Sequence, residues 1–211
     1  DSHYNLVIQD DGSLHNSMDR QGNYNSTPSP PSRVTSFLTE PKSCYDDAIT
    51  MKRRADKLLK ERKHLEGVHM YINSLIRFLF FANNTFKENR NGAREMMRST
   101  SDLCNVVLGH AQSKGMESEK ELALLLKAFA YHSLYFMSSS SIDPKRALEA
   151  RSLDDQTKKF IEVSFYLSRA LMYLKQIERY GQSPLHLHFY NLKAEELLKY
   201  VEDKVNELKE T

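Results

Sequence analysis

Few side chains in this sequence are spaced for chemistry. His186 and His188 flank Leu187, and His110 and His132 lie upstream. Imidazoles are common metal ligands. Residues two apart on a helix point in different directions, however, so this pair cannot chelate from one face. No Cys-x-x-Cys or His-x-x-x-His spacing completes a site. The acidic pairs Asp46-Asp47, Asp154-Asp155 and Glu195-Glu196 fall in or at the start of expected helices. There a carboxylate favours the helix dipole, whereas acid–base catalysis needs carboxylates converging in a pocket. Cys104 sits between Leu103 and Val106 on a core-like segment, and a thiol becomes a nucleophile only where its pKa is lowered. A glycine-rich phosphate loop, a Gly-x-Ser-x-Gly elbow and a His-Glu-x-x-His motif are all missing. The expectation is a protein that is not an enzyme and uses no cofactor or metal.

One charged cluster is conspicuous. Between Lys52 and Lys63, seven Lys and Arg stand against Asp56 and Glu61. Arg53, Lys57 and Lys60 share a helical face opposite the Ala55–Leu59 stripe. Such a row suits phosphates; it also suits the solvated face of an amphipathic helix. The whole chain of 211 residues carries a formal charge of only +2, which does not argue for nucleic acid or an anionic membrane. Two cysteines make no disulfide framework and fit a reducing compartment. The densest apolar run, Leu75 to Ala82, contains Arg77 and is too short to span a bilayer. No signal peptide is visible.

The elements that would carry these side chains are helices. Residues 1–41 are rich in Ser, Asn, Gly and Pro and lack the apolar content to fold alone, so they read as an extended or disordered arm. Thr27 and Ser29 precede prolines there and could accept phosphate. Residues 42–211 show helical periodicity and no alternating strand pattern. Helices are expected at about 44–62, opened by Ser43 as N-cap, and at 64–86, apolar nearly all round and therefore central. Others follow at 93–110, after the turn Asn89-Arg90-Asn91-Gly92, and at 118–137, opened by a Ser118–Glu121 capping box. A short helix after Asp143-Pro144, a long one at 154–180 and a last one from Ser183-Pro184 to about Glu210 complete the series. The sum is an all-α bundle of about seven or eight helices in antiparallel hairpins, tetratricopeptide-like in arrangement but without that repeat's signature.

Tyr45, Ala48, Ala55-Asp56 and Leu58, followed by Tyr71-Ile72, Leu75, Phe78 and Ala82, resemble the two opening helices of a known module. It is the C-terminal homology domain of the AFF family, the Lilliputian-type scaffolds of the super elongation complex. Met97, Thr100 and Leu103 resemble the family's next helix, and Phe160 to Tyr200 is similar to its closing pair. The resemblance implies a nuclear scaffold supporting transcription elongation by RNA polymerase. This domain would pair with itself or a relative, and other elongation-complex subunits would bind outside this chain. On this reading Tyr166, Tyr173, Leu198, Val201, Val205 and Leu208 are the expected interface, although the same periodicity would let them close the core of one chain. The alternatives are a helical adaptor for a partner peptide and a nucleic-acid module contacting through Arg53, Lys57 and Lys60.

Overall fold

A computed structural model describes residues 41–139, 155–178 and 193–210. Among these residues every element is a helix: α1 (Pro41–Lys60), α2 (His64–Thr85), α3 (Arg90–Lys114), α4 (Glu117–Ser139), α5 (Asp155–Glu178) and α6 (Ala194–Glu210). The all-α expectation stands, with six described helices where seven or eight were expected. The arm, the short helix after Asp143-Pro144 and the Ser183-Pro184 cap lie outside the described residues.

The first four helices are linked by only two to four residues, so each returns along its predecessor. α1 packs on α2, α2 on α3, α3 on α4, and α4 on α5; α6 lies against α2 and α4. α2 therefore has four neighbours. Its apolar residues Val68, Tyr71, Ile72, Leu75, Ile76, Phe78, Leu79 and Phe80 are all buried. Gly67 permits the close start of the α1–α2 hairpin: a Cβ there would lie 2.8 Å from Leu59 Cδ2 and 3.3 Å from the Leu59 backbone nitrogen.

The polar groups of α2 choose its partners. Tyr71 donates to Asp56 of α1 at 2.5 Å, and Lys52 donates to the same carboxylate at 2.9 Å. Ser74 donates to the Ala48 carbonyl at 2.8 Å. His69 Nε2 lies 2.8 Å from Glu119 of α4, both buried. Arg77 reaches Glu202 of α6 at 3.4 Å, also buried. An unpaired buried polar group costs about 1–3 kcal/mol, so each link favours one docking of α2 over its alternatives.

Helix ends differ from the sequence expectation where side chains compete for the cap. α1 already begins at Pro41, so Ser43 lies inside it; proline is suited to a first helical turn. Asn89 caps α3 by accepting from the Gly92 amide at 2.9 Å, so the expected turn is the helix start. α4 begins at Glu117, which leaves Ser118 in its first turn. α6 is described from Ala194, and the Glu196 carboxylate accepts from the Lys193 amide at 3.1 Å.

α1 and α3 end in the same pattern with different residues. At α3, Gly115 takes a left-handed φ of 67°, and the Gly115 and Met116 amides bond to Gln112 and Ala111. At α1, Arg62 takes that role with φ 63°, and the Arg62 and Lys63 amides bond to Leu59 and Leu58. A side chain in this region is disfavoured by about 1 kcal/mol, so Arg62→Gly is expected to stabilise the protein by about 0.5–1 kcal/mol, checked by urea unfolding. The bond from His69 holds the Glu119 carboxyl below its ordinary value of 4.5. A lowered folded pKa contributes stability above that ordinary value and loses it as pH falls through the folded one. Glu119→Gln is thus expected to lower stability by about 1–3 kcal/mol at neutral pH. The gap from the parent protein should narrow under acid, as followed by unfolding at a series of pH values.

Candidate interaction surface

Among the described helices α5 stands at the edge of the bundle and packs only on α4. Val163, Tyr166, Ala170, Tyr173, Leu174 and Ile177 recur at three-four spacing and are buried. The Tyr131 ring of α4 stacks on Tyr173 at 5.7 Å and meets Tyr166 at 6.3 Å. Lys127 of α4 places its ammonium 4.6 Å from the Tyr173 ring centre and bonds to Asn105 of α3.

One neighbour cannot cover a helix this apolar. Phe160, Ile161, Phe165, Leu171 and Met172 of α5 remain exposed, and Phe136 of α4 is 59% exposed. A groove of about 540 Å³ runs between α4 and α5. Tyr135 and Ser139 form one wall; Phe160, Ser164, Leu167 and Leu171 form the other. The latter four are spaced four, three and four residues apart, as in a coiled-coil seam. Of the exposed residues, Phe160 and Leu171 line this groove together with Val163, Leu167 and Tyr135; scattered exposed apolar residues are ordinary, but apolar residues gathered at a groove mark a contact surface.

The residues expected at an interface lie elsewhere. Tyr166 and Tyr173 face α4 and are buried; Leu198, Val201 and Val205 of α6 are fully buried; Leu208 is half-buried against the same core. α5 and α6 do not pack on each other, so these six are not one seam, and the core of a single chain accounts for their apolar character. Arg53, Lys57 and Lys60 are exposed on the outer side of α1, with Lys57 3.8 Å from Glu61. Sequence reasoning missed the Phe160–Leu171 row. Its spacing was legible, but the neighbouring tyrosines offered an equally regular stripe, and only the position of α4 tells the two apart.

Catalytic constellations are sparse among the described residues. No group of three or more His, Cys, Asp or Glu is placed to hold a metal, and His186 and His188 lie outside the described residues. Cys44 and Cys104 are both buried. Burial pushes the Cys104 thiol up to about 12, which leaves it protonated and unreactive near neutral pH. No described helix is long and apolar enough to cross a membrane. Compared with known proteins, the chain matches no family model, no curated sequence and no solved structure.

The burial of Val201 has a direct consequence. A carboxylate there would be enclosed without a partner, so Val201→Asp is expected to unfold the domain, measured as loss of the cooperative thermal transition by circular dichroism. A folded, dissociated protein would instead make α6 part of an interface.

Proposed function

We propose that this chain is a self-association domain, pairing through the α4–α5 groove. The observation that carries the reading is the row Phe160, Ser164, Leu167 and Leu171 that lines the α5 side of the groove, with Phe160, Ser164 and Leu171 exposed and Leu167 half-buried. The row is self-complementary about a two-fold axis, the usual symmetry of a homodimer. With two copies of α5 antiparallel, the small Ser164 falls opposite its partner's Leu167, and Phe160 opposite its partner's Leu171. A parallel pair would set serine against serine and leave a void. The two α4–α5 pairs would then form a four-helix contact of the kind bundles use.

The biological setting rests on the resemblance to the AFF family. On that reading the domain dimerises a nuclear scaffold that supports transcription elongation. Stacked antiparallel hairpins fit a tetratricopeptide-like arrangement, whose open groove can also seat a helix from another protein. A second reading, nucleic-acid binding, draws on the exposure of Arg53, Lys57 and Lys60 on one outer face.

Light scattering across a concentration series tests the pairing. The parent protein is expected to be a dimer at tens of micromolar. Leu171→Asp is expected to be monomeric with its helical content and melting temperature preserved, because Leu171 is 48% exposed. A parent protein that stays monomeric overturns self-association and leaves the groove to a peptide partner.

A further inference from the structure

A second concavity lies on the other flank of α5 from the pairing row. It has a volume of about 380 Å³ and is lined by Arg98 and Asp102 of α3, Tyr131 of α4, and Glu162, Phe165 and Tyr166 of α5. α3 and α5 do not pack directly on each other, so this notch spans a gap bridged by side chains. Arg98 makes the bridge, donating to the Tyr166 hydroxyl at 2.9 Å and 2.6 Å and pairing with Glu162. Tyr166 in turn donates to Glu162.

Three rings enclose the notch. Tyr131 and Phe165 are 6.3 Å apart between centres, Tyr131 and Tyr166 are 6.3 Å apart, and Phe165 and Tyr166 are 6.1 Å apart. They form a nearly equilateral triangle. A cation seated over it lies inside the ~6 Å range of attraction to all three ring centres at once. The protein's own cations already gather at this aromatic cluster. The Arg98 guanidinium lies 5.8 Å from the Tyr166 ring centre, and that of Arg169 lies 5.0 Å from Phe165. Arg98 is satisfied by Glu162, whereas Asp102 at the mouth is exposed and forms no ion pair among the described residues. The notch thus offers ring faces and one uncommitted carboxylate.

We propose that this notch binds a methylated ammonium head group, with its methyl groups against Tyr131 and Phe165 and its charge facing Asp102. A bare ammonium needs several acceptors for its N–H groups, and this wall supplies mostly rings. A methylated one is weakly hydrated and presents apolar methyls, which match aromatic walls. The head group could be borne by a methylated lysine side chain or by choline; both present the same chemistry to the notch. This site is independent of self-association, because the pairing row faces the opposite flank of α5.

The test is NMR titration of the full chain with choline and with its neutral isostere 3,3-dimethyl-1-butanol. Choline is expected to shift the notch resonances at millimolar concentration, and the isostere to bind at least about fivefold more weakly, as charge recognition by rings requires. Asp102→Asn and Phe165→Ala alter exposed side chains and should leave the fold intact by circular dichroism. Each is expected to weaken choline by roughly threefold or more. Tighter binding of Nε-trimethyl-lysine amide than of choline assigns the head group to a side chain, and the reverse order assigns it to choline; both keep the proposal. Equal binding of the isostere, absence of any choline shift, or unchanged binding in both folded variants overturns it.

Discussion

The structure depends on enclosing α2. An apolar helix exposed on any side loses roughly 25 cal/mol for each Å² left in water, and α2 is apolar on nearly every side. It is covered by α1, α3, α4 and α6. Apolar packing alone would tolerate several rotations of α2 among these neighbours. Its buried polar groups remove that freedom by pointing to different helices: Tyr71 to α1, His69 to α4 and Arg77 to α6. The Arg77–Glu202 pair matters most for topology, because it joins positions far apart in the chain. Buried charges are costly when separated, so α6 is held in one place and one register.

α5 is the counterpart. It has a full buried stripe of its own, yet only α4 among the described helices packs against it. The helix consequently divides into three strips. One is core, one borders the α4–α5 groove, and one borders the aromatic notch beside α3. Both concavities arise from one fact of arrangement: α5 packs on α4 with no other described helix against it. An edge helix with unspent apolar surface is the place where a bundle meets something else. The neighbours of α2, by contrast, bury most of their apolar surface inside the bundle, with Phe136 of α4 an exception.

The sequence by itself determined the class and most of the helix inventory. Sparse glycine and proline after Pro41, three-four periodicity and short polar turns admit only packed helices, and the described residues bear that out. It also marked α2 as central, since a helix without a polar face has nowhere to go but the interior. Ends were less legible. Ser43 and Ser118 are good caps by type, but Pro41 and Glu117 are compatible with helix too, and backbone bonds extend wherever nothing opposes them. The left-handed Arg62 was invisible, because this conformation is ordinarily signalled by glycine and an arginine carries no such mark.

Only the tertiary structure decided which apolar stripe is core and which is surface. On α5 the Tyr166–Tyr173 stripe and the Phe160–Leu171 row have similar periods, and a helix carries no label for its inner side. On α6 the Leu198–Val205 stripe reads like a coiled-coil seam, yet it is consumed by α2 and α4 within the same chain. The physical reason is that periodicity records a helix's own geometry, whereas burial depends on what arrives from elsewhere in the chain. The two concavities beside α5 likewise exist only because α3, α4 and α5 lie side by side.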